Sequence, residues 1–146
     1  MSLFDAINTA ATGLSAERLR MDVTAENLAN AQTTRGADGR PYQRKVVVLQ
    51  EAGTGFGATL GGAMKGGSGS GGGVRVAGIS ADTTPNRLVY DPGHPDADAR
   101  GYVSMPNVQP VTEMVDLISA SRGYEANVTV MQTAKQMFSK TLEILR

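Results

Sequence analysis

The chain has 146 residues, 14 basic and 14 acidic side chains, a formal net charge of zero, 40% apolar content and no cysteine. This fits one domain, or one domain with extensions, and excludes disulfides, a thiolate metal site and a thiol nucleophile. The charges are scattered, which leaves no basic face for nucleic acid, and the longest aliphatic run, Val46 to Leu49, is far shorter than the about 20 residues of a membrane span.

At the N-terminus, Met1 to Asp5 has no basic region, and neither an apolar stretch nor a cleavage site follows. That pattern reads as a cytoplasmic protein or as one exported without a cleavable signal. Residues 2 to 30 are predicted to form one long helix, opening on a capping-box-like Ser2-Leu3-Phe4-Asp5. Apolar residues recur at alternating spacings of three and four at Phe4, Ile7, Ala11, Leu14, Met21, Ala25 and Leu28, with Arg18 the one break. Such alternation is the a/d pattern of a coiled-coil seam.

From 40 to 106 the pattern changes to short β-like runs, Lys45 to Gln50, Val74 to Ile79, Arg87 to Tyr90 and Tyr102 to Met105, punctuated by Gly and Pro. Residues 53 to 73 read as a flexible Gly-rich loop by composition. A second long helix is predicted over 111 to 146, after Pro110, which suits a first helical turn. Its seam is Met114, Leu117, Ser121, Tyr124, Val128, Met131, Lys135, Phe138, Leu142 and Leu145. Gly123 lies inside it at a cost of about 1 kcal/mol against Ala, which marks either close packing or a point where the helix yields.

The expected fold is mainly α: long N- and C-terminal helices paired as a coiled-coil-like layer, with a small β-rich middle carrying the Gly-rich loop. The boundaries are 1–34 for the first helix, 35–109 for the middle domain and 110–146 for the last helix. The seam residues are expected to be buried, either between the two helices as the core of one subunit or at a subunit interface.

Candidate chemical sites are weaker. Gly67 to Gly72 matches a dinucleotide fingerprint formally, but the mechanism needs a strand before it and a helix after it. Asp96 to Gly101 resembles the start of a calcium loop, yet Arg100 stands where a ligand belongs. His94, the lone histidine, lies near Asp91, Asp96 and Asp98 and reads as fixing a turn. Asn127-Val128-Thr129 is a glycosylation sequon, but it lies within the helical seam, where a glycan would block packing. No catalytic residue, cofactor or metal is expected.

Several stretches together resemble the flagellar rod and hook protein family, whose rod members include FlgB, FlgC, FlgF and FlgG. These are Gly13-Leu14-Ser15-Ala16 and Ala25-Glu26-Asn27-Leu28-Ala29-Asn30-Ala31 near the start, and Glu125-Ala126-Asn127 with Lys135 near the end. Gly39 to Lys45, containing Pro41 and Tyr42, and Tyr90 to Val108, containing Met105, Pro106 and Asn107, are similar to the FlgC branch in particular. Glu113 to Asp116 and Ser121 to Tyr124 fit as well. The Gly tract from 61 to 73 and Gly123 depart from the family's pattern.

The resemblance implies a non-enzymatic subunit of the proximal rod, exported by the flagellar type III apparatus without a cleavable signal and assembled in the periplasm. Its implied partners are FlgB, FlgF and FlgG, copies of itself, the rod–ring junction protein FliE and the membrane ring, with no nucleic acid. The terminal helices would pack as a tube around the export channel and transmit torque. The alternative is a non-flagellar helical scaffold or adaptor.

Overall fold

The computed structural model describes residues 3–36, 38–52 and 72–144. Helix α1 spans Leu3–Ala29, followed by strands β1 (Lys45–Glu51), β2 (Val74–Ala81), β3 (Arg87–Tyr90) and β4 (Tyr102–Met105), and by helix α2 (Pro110–Ile144). The expected order of helix, β-rich middle and helix is the observed one. Ser2, Leu145, Arg146 and residues 53–71 of the expected loop lie outside the described residues. None of the described helices is long and apolar enough to cross a membrane.

Local chemistry explains the elements. Asn30 closes α1: its backbone and side-chain amides both donate to the carbonyl of Glu26, at 3.1 and 2.9 Å, and satisfy one of the helix's last free carbonyls. Pro110 opens α2, where its missing N–H costs nothing. In β1, Val46 and Val48 are exposed while Val47 and Leu49 are half-buried, the alternation of a strand covered on one face. β1 pairs with β2, and β3 pairs antiparallel with β4 in the register Arg87↔Met105 to Tyr90↔Tyr102.

Contacts divide the chain into two compact units. The first combines Met1–Leu19, Val48–Gly78 and Ala120–Arg146. In it α1 and α2 lie side by side and antiparallel. Phe4 meets Phe138 edge-on at 6.1 Å, Gly13 faces Asn127, and Glu17 faces Gly123. Among the described residues, those it buries are Ala10, Ala16, Ala120 and Ala134. The helix does not yield at Gly123, where a Cβ would come within 3.2 Å of the flexible Glu17 side chain. Thr12 ties the strands on: its hydroxyl accepts from the amide of Val74 at 3.1 Å, and a Cβ at Gly73 would overlap that side chain.

The second unit combines Arg20–Val47 and Ile79–Ser119. Its interior holds Val23, Ala31, Val103, Pro106 and Val108 together with the polar pair Asn27 and Glu113. The β3–β4 hairpin closes through Asp91 N–H to Gly101 C=O and Asp98 N–H to Tyr102 C=O, both 2.9 Å, with Gly101 at φ +80°. Only glycine adopts that backbone readily.

Candidate functional site: a buried polar cluster and an exposed apolar surface

The least expected feature lies in the second unit. Asn27 and Glu113 are each only 1% exposed. The Asn27 amide donates to the Lys45 carbonyl at 2.8 Å and to Glu113 Oε2 at 3.0 Å. Its oxygen accepts from the Lys45 amide and the Tyr42 hydroxyl, both at 2.9 Å. Two donors and two acceptor sites are the full capacity of an asparagine side chain, and here all are used. Asn27 therefore grips one residue of β1 by both of its backbone groups, as a neighbouring strand would.

Glu113 has both oxygens engaged, since Arg44 Nε donates to its Oε1 at 2.5 Å. Arg44 also reaches Asp116 at 3.1 Å and Asp82 at 3.7 Å, so one guanidinium faces three carboxylates. Its hydrogen bond to Glu113 pushes the Arg44 pKa further up. The hydroxyl and amide of Thr84 hold the Asp82 carboxyl below its ordinary value. Burial raises the Tyr42 phenol, with the charge of Glu26 adding to the effect. A polar cavity of about 80 Å³ lined by Arg20, Thr24, Asn27, Arg44 and Asp116 adjoins the cluster. That is well below the roughly 300 Å³ at which small-molecule sites begin. The arrangement fastens segments together.

The other feature is apolar surface. Within one chain Phe4, Met114, Phe138 and Leu142 of the expected seam are exposed. Ile7, Leu14, Met21, Leu28, Leu117, Tyr124, Val128 and Met131 are half-buried. Leu145 lies outside the described residues. The positions of α2 that the chain itself buries fully, Glu113, Ala120 and Ala134, stand one residue before the seam positions Met114, Ser121 and Lys135. Val111, Val115, Ile118, Val130 and Met137 add further exposed apolar side chains, with Val111 70% exposed.

The Asp91–Asp98 segment forms turns. Asp91 accepts from the amide of Gly93, His94 Nδ1 from the amide of Asp96 at 3.1 Å, and Asp98 from the amides of Arg100 and Tyr102 at 2.8 Å. Thr34 and Arg35 engage Asp96. The expected role of His94, fixing a turn, is the observed one.

Comparison with known proteins bears on what such surfaces are for. Residues 7–37 match the family model described as flagella basal body rod protein, and residues 99–144 match the C-terminal model of the flagellar basal body rod FlgEFG proteins. The chain is 49% identical to the flagellar basal-body rod protein FlgC of Bacillus subtilis, over 99% of both chains. Identity is 47% to that of Borreliella burgdorferi, over 100% of this chain and 99% of the other. It is 47% to that of Yersinia enterocolitica, over 99% and 98%.

The chain belongs to the FlgC family of flagellar basal-body rod proteins. It is a structural component of the rod rather than an enzyme or a free-standing adaptor.

Membership gives meaning to the motif residues. Asn27 is the centre of the cluster and Asn30 the cap of α1. Tyr42 donates to Asn27, and half-buried Pro41 precedes it. Asn107 accepts from the Arg44 amide at 2.7 Å and donates to the carbonyls of Asp82 and Thr84. Pro106 is buried and Met105 half-buried beside it. Asn127 packs over Gly13, and Glu125 is exposed. Sequence reasoning did not single out Arg44 and Glu113. The available signal was that both lie in family-like stretches and carry opposite charge.

Proposed function

We propose that this chain builds the proximal part of the rod, its terminal helices pairing as a coiled-coil-like layer that surrounds the export channel. The carrying observation is the 49% identity with a FlgC protein over 99% of both chains. In support, the antiparallel helix contacts of the first unit leave large apolar residues uncovered, including Phe4, Phe138 and Leu142. Exposed apolar surface of this kind suits protein–protein contact. Copies of this chain, the other rod proteins FlgB, FlgF and FlgG, the junction protein FliE and the membrane ring are the partners of this reading. Division into helices 1–34 and 110–146 with a middle domain 35–109, the latter with its Gly-rich loop 53–73 facing outward, belongs to it as well. So does export by the flagellar type III apparatus into the periplasm without a cleavable signal, with torque transmission as the mechanical task.

A tagged copy expressed in a strain lacking its own FlgC tests this. Restored motility and recovery of the tag in purified hook–basal bodies are expected. A purely soluble cytosolic pool with no rescue contradicts it.

A further inference from the structure

The polar cluster is an odd choice if stability is its purpose. A buried ion pair recovers little more than its desolvation cost, and apolar replacement is often neutral or stabilising. What such a cluster supplies is selectivity, because buried donors and acceptors tolerate no mismatch. Asn27 and Glu113, both 1% exposed, have every hydrogen-bonding site here engaged except the second lone pairs of the carboxylate. Arg44 adds backbone attachment through Asn107 and side-chain attachment to Asp82 and Asp116. The cluster thus joins the end of α1, the start of β1, the turn at 82–84 and the first turn of α2.

Moving α2 by one residue turns its side chains by about 100°. That would carry Glu113 away from Arg44 and Asn27 and leave buried polar groups unpaired. The surrounding Val23, Ala31, Val103 and Val108 impose no such penalty, since apolar contacts are nondirectional.

We propose that Asn27, Arg44 and Glu113 are positioning residues that set the register and rotation of the start of α2 in the second unit. With Glu113 turned inward, Val111, Val115 and Ile118 stand on the opposite side of the helix and Met114 on its flank, and all four are exposed. The cluster therefore decides which face of α2 the subunit presents. Only the step from presented face to rod assembly rests on the proposed function.

The test replaces all three with apolar residues of similar size, Asn27→Leu, Arg44→Met and Glu113→Leu, in the full chain. Amide NMR spectra of isotope-labelled subunit read the register directly. Incorporation into hook–basal bodies, relative to cellular level, reads the consequence. The triple variant is expected to keep its helix content, to lose no more denaturation midpoint than Asn27→Leu alone, which already strands the Lys45 backbone groups, to give broadened or multiple resonances for residues 20–47 and 79–119, and to lose incorporation. Glu113→Gln keeps the shape and the bond from Asn27, so it should retain one set of resonances and incorporate at an intermediate level.

One sharp, wild-type-like set of resonances from the triple variant overturns the proposal, because apolar packing then sets the register alone. A triple variant that unfolds, together with a Glu113→Gln that loses midpoint in proportion to incorporation, also overturns it, because the cluster is then a stabiliser. Spectra as expected, with wild type absent from basal bodies, strike the rod reading and leave the register assignment standing.

Discussion

The first unit has an interior of alanine, whereas the second buries valine, proline and a paired asparagine and glutamate. Alanine methyls bring helices close but remove little apolar surface from water, and burial scales with that surface. Close approach is also what Gly13 and Gly123 permit. Larger apolar residues of the same unit, Phe4, Val130, Met137, Phe138 and Leu142, face outward. The second unit instead carries its own directional contacts. One region is thus finished within the chain, and the other leaves apolar surface that, on the proposed function, neighbours cover.

The largest expected difference comes from a matched pair of asparagines. Asn27→Ala removes four hydrogen bonds and strands the backbone groups of Lys45 and one oxygen of Glu113. It should lower unfolding free energy by about 3 kcal/mol. Asn127→Ala, in the first unit, should cost only about 0.5 kcal/mol, as for other part-exposed sites. Urea titration of the purified subunit measures both, and equal losses would remove the contrast between the units.

Glycines sharpen the account of the first unit on a smaller scale. A Cβ at Gly13 would stand 2.9 Å from Asn127 Nδ2 and 3.2 Å from its Cγ. Overpacking there should outweigh the gain in helix propensity and leave Gly13→Ala about 1 kcal/mol less stable. At Gly123 the nearest atom is Cδ of Glu17 at 3.2 Å, on a longer side chain that can give way. Gly123→Ala should therefore be neutral or gain up to about 1 kcal/mol. Heat dissociation of purified basal bodies carrying either variant, where the first unit is assembled, decides whether the helix approach is as tight at one glycine as at the other.

The smallest effect is a pH dependence confined to the second unit. Burial raises the Tyr42 phenol above 10.0, so the folded state holds this proton more tightly than the unfolded chain does. The associated stability is complete below the unfolded value and is lost as pH rises through the folded one. Unfolding midpoints should fall on alkaline titration from about pH 10 upward. Tyr42→Phe should lack that component, and an identical alkaline profile would show that Tyr42 carries no linkage.

How much of this was legible in the sequence differs between the same regions. The helices and all four strands could be placed because period and β-branched runs signal them directly. Three of the motif stretches marked Asn27, Asn30, Tyr42 and Asn107, but not what they touch. Ala10, Ala16, Ala120 and Ala134 were invisible as interior because alanine is common on exposed helix faces too. On α2, the larger Met114, Leu117 and Phe138 dominate the apolar stripe, while full burial falls on Glu113, Ala120 and Ala134. Glu113 could not be read as buried, since a charged residue in a first helical turn ordinarily faces water and favours the helix dipole there. Its burial depends on Arg44, which is 69 residues away in sequence.

Amide hydrogen exchange, compared between dilute subunit and purified basal bodies, tests the central claim most directly. In the free subunit, residues 20–47 and 79–119 should hold the stronger protection, while 5–19 and 120–142 exchange readily and become protected only in the rod. Strong protection across 5–19 and 120–142 in the free subunit, unchanged on assembly, would show that the first unit is complete by itself and contradict the account.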